Sequence, residues 1–227
     1  MLSNAPRHVV EQTDDGSPTV RDLELGCTFH SRHGALAETM HVFIDAGLRH
    51  WLTTNHFIPV SILEVGFGSG LNVAATLASF PEARIRFTTT EKFPLDAEAQ
   101  RAVVANTPDV VRKELETILR CDWDTEQAIT PSFTLKKIET DLLILQGPLP
   151  FDVCYFDAFA PTDQPELWTE EVFKKLFAWA NPGAMLVTYC SKGDVRRSMQ
   201  AVGWEAQKLP GPKGKREMLR TVKSTLT

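Results

Sequence analysis

A chain of 227 residues can bury one full core with an added subdomain, and its 43% hydrophobic and 23% charged residues are ordinary for a soluble globular protein. A net charge of −5 argues against wholesale polyanion binding. No apolar run approaches the roughly 18 residues of a membrane span, and the polar start "MLSNAPRHVVEQTDDGSPTV" has no apolar signal core, so a cytoplasmic protein is expected.

Residues 1–20 read as a loosely ordered arm, and 21–60 as an extension before the first glycine-rich turn. Within it, "HSRHGALAETMH" carries His30-x-x-His33 and Glu38-x-x-His41. A di-iron bundle needs the Glu-x-x-His pattern twice, and it occurs once. Met40, Val42, Phe43 and Ala46 read as packing residues of a helix over about 34–50, and no metal is expected. From Ser61 onward, β-rich runs alternate with helical stretches, the pattern of a mostly parallel sheet covered by helices. Strands are expected at about 61–67, 85–92, 133–140, 151–157 and 184–190. Helices are expected near 70–79, 95–105, 166–180 and 193–202. Pro108 to Ser132 has no clear period. The stretch "WEAQKLPGPKGKREMLRTV" reads as an antiparallel edge hairpin. Cys27, Cys121, Cys154 and Cys190 form no C-x-x-C pair, which fits reduced thiols.

The stretch "ILEVGFGSGLNVAATL" places Glu64, then Gly66, Gly68 and Gly70, between an apolar strand and a helix. The dinucleotide fingerprint G-x-G-x-x-G would need glycine at 71, where leucine stands, and no Gly-Lys-Ser/Thr follows for a P-loop. Carboxylates at such a turn suit a cationic ligand better than a pyrophosphate. Glu91, at the end of the next strand, stands where a carboxylate holds ribose hydroxyls. Asp157 ends the fourth strand in "FDVCYFDAFAPTDQPELW", where open α/β sheets place ligands. A carboxylate and the Phe159 ring there would orient an amine, or else simply cap a helix and fill a core. Between Lys208 and Lys223, six basic residues (Lys208, Lys213, Lys215, Arg216, Arg220, Lys223) face a single Glu217, with Lys192, Arg196 and Arg197 upstream. They read either as a phosphate-binding edge or as a solvated hairpin.

The Glu-x-Gly-x-Gly-x-Gly turn followed by Glu91 resembles the cofactor site of class I S-adenosylmethionine methyltransferases. "FHSRHGALAETMHVFIDAGL", "TTTEKFPL", the Asp157–Trp168 loop, "GAMLVTYCSKGDVRRSMQAVGW" and "PGPKGKREML" follow in the order seen in the MnmC/MnmD family of tRNA wobble-uridine modification enzymes. The resemblance covers about residues 29–220. Ser69 stands where threonine is common and Thr140 where glycine is usual. The resemblance implies an α/β, Rossmann-like class I methyltransferase fold over 61–227, with the 1–60 extension covering the cleft. S-adenosylmethionine would be held by Glu64, Gly66, Phe67, Gly68, Gly70, Glu91 and Lys92, with Asp141 beside the adenine. Asp157 would be catalytic, and Glu38, Phe159, Pro161, Lys215 and Arg216 would meet the substrate. The implied reaction methylates the amine of 5-aminomethyl-(2-thio)uridine in the tRNA anticodon loop, and another enzyme would supply that aminomethyl group. The chain leaves no residues for the FAD domain of the fused form and resembles the stand-alone methyltransferase. An aminopropyltransferase-like enzyme acting on a polyamine, and a nonenzymatic cofactor- or RNA-binding module, are the alternatives.

Overall fold

In the computed structural model, which describes residues 7–55 and 59–224, the chain enters as a hairpin. Strand β1 (His8–Gln12) pairs antiparallel with β2 (Pro18–Asp22), and β3 (Cys27–Thr28) adds a short third strand. The expectation of a loose arm over 1–20 is therefore corrected from residue 8 onward, while residues 1–6 of that arm lie outside the described residues. The polar side chains that suggested disorder build the turn instead. The Asp15 carboxylate accepts from the Thr13 hydroxyl at 2.8 Å, the Ser17 N–H at 2.9 Å and the Ala37 N–H at 2.8 Å. Asp22, 2% exposed, accepts from Arg7 Nε at 2.9 Å.

Next comes one continuous helical stretch: α1 (Ala35–Thr39), a π-helical segment (Met40–Arg49) and α2 (His50–Thr54). Val42, Phe43, Ile44 and Leu48 are buried along it. A Cβ on Gly47 would lie 3.0 Å from Val187, so the missing side chain lets this helix lie close against the sheet. Then follow β4 (Val60–Val65), α3 (Leu71–Ser79), β5 (Ile85–Glu91), α4 (Ala97–Asn106) and α5 (Asp109–Leu119). Asp96 caps α4, accepting from the N–H groups of Glu98 and Ala99 at 2.9 and 2.8 Å. The second half of the chain gives β6 (Glu126–Thr130), β7 (Phe133–Glu139), β8 (Phe151–Phe156), a 3₁₀ turn at Pro165–Trp168 and α6 (Glu170–Trp179). Last come β9 (Ala180–Thr188), α7 (Gly193–Ala201), β10 (Trp204–Pro210) and β11 (Glu217–Lys223).

The large sheet runs β10-β11-β9-β8-β4-β5-β7-β6. The five strands from β9 to β7 are parallel, and both edges are antiparallel. Chain order reverses beside β4: β5 and β7 lie to one side of it, β8 and β9 to the other. A crevice therefore opens beyond the carboxyl ends of β4 and β8, the usual ligand position in such sheets. The segment 108–132 that had no clear period supplies α5 and the extra edge strand β6. Alternation along each strand feeds two cores. Ile62, Phe87, Val153, Tyr155 and Val187 pack with α3–α5 and with the helical extension (Val20, Ala35, Val42, Phe43). Leu63, Val65, Cys154, Phe156 and Leu186 pack with Trp168, Phe173, Leu176, Met199 and Trp204. All four cysteines are free thiols. Among the described residues, no helix is long and apolar enough to cross a membrane.

Candidate active site

The turn after β4 carries the glycines into the left-handed region, with φ of 93° at Gly66, 52° at Gly68 and 80° at Gly70. Only glycine takes such angles at little cost. The Gly66 and Phe67 N–H groups both donate to the Thr90 carbonyl, at 3.0 and 3.2 Å, which ties the turn to β5. A Cβ on Gly66 would stand 2.7 Å from the Asp157 carbonyl oxygen, so this glycine also lets the turn and the loop after β8 touch. Gly70 caps α3, and a Cβ there would meet the Phe67 ring at 2.9 Å.

A cleft opens above this turn. It is lined by Gly66, Phe67, Gly68, Glu91, Lys92, Asp141, Asp157 and Phe159 among the sequence-identified residues. The Glu91 carboxylate accepts the Gly68 N–H at 3.0 Å and the Phe93 N–H at 2.9 Å. Lys92 pairs with Asp141 at 2.9 Å and Arg7 with Asp22 at 2.8 Å, so these four charges cancel in pairs. Glu91, Asp163 and Glu166, joined by Asp157 when it ionises, are left to set the sign of the lining. An acidic cleft over a glycine cradle fits a cofactor with a sulfonium and an ammonium, and it disfavours a pyrophosphate.

Other expected site residues lie elsewhere. Glu64 is fully buried behind the turn, accepts the Thr89 hydroxyl at 2.6 Å, and does not line the cleft. Burial pushes its carboxyl well above the usual range, and its Oε1 has no partner among the described residues. Neither Gly70 nor Pro161 lines the cleft. The histidines and the glutamate of "HSRHGALAETMH" each have a different environment: His30 is buried, His33 meets Asp14 at 3.2 Å, Glu38 pairs with Lys215, and His41 meets the Pro210 carbonyl at 2.8 Å.

Asp157 sits at the cleft floor, its N–H donating to the Val65 carbonyl at 3.0 Å. Its Oδ2 accepts from the Asn72 amide at 2.8 Å, and the Asn72 oxygen accepts the Thr39 hydroxyl at 2.7 Å. Burial and the nearby Glu38 charge raise the Asp157 carboxyl to about 7, against the opposing pull of Asn72 and Lys215. A carboxyl poised near neutrality can exchange a proton at working pH. The loop beyond it is braced: Trp168 Nε1 donates to the Phe159 carbonyl at 2.8 Å, and the Tyr189 hydroxyl donates to the Ala158 carbonyl at 2.9 Å.

The basic edge is less uniform than its sequence. Lys208 pairs with Glu217 at 2.7 Å, and Lys223 caps the end of α6 through the Phe177 and Ala180 carbonyls at 2.9 and 2.8 Å. Arg220 donates to Gln207 at 2.9 Å, and Lys215 turns inward to Glu38. Arg216, Lys213, Lys192 and Arg197 are exposed, with Lys213 reaching Asp14 at 3.6 Å and Arg197 paired with Asp194. Sequence reasoning assigned no role to Asn72 or Tyr189, nor to the cleft residues Arg7, His8 and Phe29 from the extension. Phe29 packs edge-on against Phe159, ring centres 5.3 Å apart. Its place in "CTFHS" gave no periodic signal that would reveal this.

A profile of the S-adenosyl-L-methionine-dependent methyltransferases matches residues 109–224. The chain belongs to this family. Relatives include the tRNA 5-methylaminomethyl-2-thiouridine biosynthesis bifunctional protein MnmC of Aeromonas hydrophila, 32% identical over 230 residues, covering 92% of this chain and 34% of that protein. The protein of the same name from Aromatoleum aromaticum is 34% identical over 224 residues, with the same coverage of 92% and 34%. The chain thus spans about a third of the length of these curated relatives. The methyltransferase fold is shared with the crystal structure of MNMC2 from Aquifex aeolicus, with a TM-score of 0.79, 22% identity, and coverage of 98% of this chain and 71% of that one.

Proposed function

We propose that this methyltransferase transfers a methyl group to the amine of 5-aminomethyl-(2-thio)uridine at the wobble position of tRNA, in the cytoplasm. The observation that carries the reading is Asp157, a carboxyl raised to about 7 that lines the cleft and whose backbone carbonyl lies close against Gly66 of the turn. The likeness to proteins named for tRNA 5-methylaminomethyl-2-thiouridine biosynthesis supports the tRNA substrate.

When bound, S-adenosylmethionine supplies an electrophilic methyl group on a sulfonium. Gly66, Phe67 and Gly68 form its cradle, and Glu91 and Asp141 offer acceptors for its hydroxyls and base. Asp157 does the remaining work. An alkylammonium has no lone pair, so the acceptor amine must lose a proton before attack. Asn72 engages Oδ2; Oδ1 is the oxygen this reading assigns to the amine, which it deprotonates and orients. Phe159 offers a ring face for the unstacked uridine, and Arg216, Lys213, Lys192 and Arg197 track phosphates. The residues before Val60 act as a cover for the cleft, and a separate reaction supplies the aminomethyl group.

Chromatography of tRNA nucleosides after incubation with methyl-labelled S-adenosylmethionine tests this reading. Label is expected in 5-methylaminomethyluridine. Absence of label there, with label or an aminopropyl group appearing on a polyamine, would overturn it.

A further inference from the structure

Beside the Asp157 loop and outside the lined part of the cleft, Glu38 is buried in α1, accepts the Ser31 N–H at 2.9 Å, and forms an ion pair with the Lys215 ammonium. That ammonium lies 3.7 Å from the centre of the Tyr189 ring. The ring is fixed beside Asp157 because the Tyr189 hydroxyl donates to the Ala158 carbonyl. A carboxylate below and an aromatic face alongside form a cage for a primary ammonium ion. The chain fills this cage with a side chain of its own, from the loop between β10 and β11.

We infer that Glu38 and the Tyr189 ring form the recognition subsite for the alkylammonium of the acceptor, and that Lys215 is an internal stand-in which the substrate displaces. The inference rests on the proposed methylation of an aminomethyl group and adds how that group is chosen. Three observations support it. The Tyr189 ring under the Lys215 ammonium is tied to the carbonyl of Ala158, the residue after Asp157, so a cation in the place of Lys215 lies on the loop that carries the proton-accepting carboxylate. Glu38 is only 5% exposed, and a buried carboxylate that loses one cation must gain another. A neutral uridine therefore cannot displace Lys215, whereas an aminomethyl uridine can. Finally, the Lys215 side chain is 32% exposed, which leaves it a path outward, towards the exposed Lys213 and Arg216. Released, it joins the residues that face phosphates, so one event trades an internal ion pair for an RNA contact.

Calorimetric titration with benzylammonium, and with benzyl alcohol as the uncharged control, tests the stand-in. Lys215→Met should bind benzylammonium about tenfold more tightly than the wild type, because the cage is no longer mostly occupied. Affinity for benzyl alcohol should not change, and Glu38→Gln added to Lys215→Met should abolish the gain. Equal benzylammonium affinity in wild type and Lys215→Met overturns the inference. Should Lys215→Met fail to fold, Lys215→Gln is read in the same way. In the wild type, a Lys215 Nζ resonance unmoved at benzylammonium saturation also overturns it. Methylation of tRNA is scored separately in the wild type. A tightened benzylammonium site without tRNA methylation sinks the functional reading alone, and methylation without tightening sinks the stand-in alone.

Discussion

The Asn72 amide donates to Asp157 Oδ2 at 2.8 Å, joining the helix behind the glycine turn to the acidic loop after β8. Thr39 of the extension holds the other end of the same amide at 2.7 Å. Cofactor turn, acceptor loop and cover thus meet on one side chain. Asn72→Ala leaves Thr39 and Asp157 short of a partner, at a cost of about 1–3 kcal/mol. Because Asn72 pulls the Asp157 carboxyl down, its removal should move the acid limb of the pH–rate profile to higher pH. Denaturant melts and a pH series of single-turnover rates check both effects.

Asp157→Asn keeps the size of the side chain and removes the charge. Single-turnover methylation should fall by about 10²–10⁴, with cofactor affinity nearly unchanged. In the wild type the rate should rise through about pH 7 as Asp157 ionises. An unaltered rate in the variant leaves Asp157 as a structural residue.

The same carboxyl makes a prediction about stability. Its folded value, about 7, lies above the ordinary 3.8, so between these values the folded state holds the extra proton. Stability from this site therefore declines as pH rises from about 4 through 7. Asp157→Asn should melt higher than wild type at pH 8, and the difference should shrink by pH 5. Thermal scans at the two pH values decide it.

Gly66→Ala should lose both cofactor binding and turnover, since its Cβ would lie 2.7 Å from a backbone oxygen of Asp157 that cannot swing away. Gly68→Val meets the Phe29 ring at 3.1 Å from its Cβ and carries a strained φ of 52°. It should weaken S-adenosylmethionine binding by pushing Phe29 across the cleft. Calorimetry with a parallel melt separates lost binding from lost folding, and wild-type affinity in Gly68→Val would show that the turn does not hold the cofactor.

Arg216→Glu reverses an exposed charge on the loop between β10 and β11. The Michaelis constant for tRNA should rise and the salt dependence of binding should lessen by about one unit of slope. Cofactor binding should stay as it was. Filter binding across a salt series gives the slope.

The β–α turn at Gly66–Gly70, the strand-end acids and the Asp157 loop were legible because each depends on local chemistry: positive φ, an apolar strand, a stiff loop. Their strands came within a few residues of their expected ends. The N-terminal hairpin was not legible, because Asp15 and Asp22 look like solvated charges until their partners, Ala37 and Arg7, are known. The burial of Glu64 was hidden for the opposite reason. Beside a glycine turn it reads as a ligand contact, yet the alternation of β4 sends it inward with Ile62, opposite to Leu63 and Val65. The basic edge split for a similar reason, since charge counting cannot tell Lys215, drawn in by Glu38, from Arg216, which remains outside.

The order of the strands at the basic edge also bears on how the chain is made. β9 hydrogen-bonds to β11, and β10 reaches the sheet only through β11. A ribosome delivers β10 first, when its docking place does not yet exist. Until β11 emerges, the edge of β9 around Leu186 and Val187 stays open, and such an edge invites mispairing with another nascent chain. A chain truncated after residue 210 should therefore give a species that engages chaperones, and restoring residues 211–223 should close the sheet in a single step.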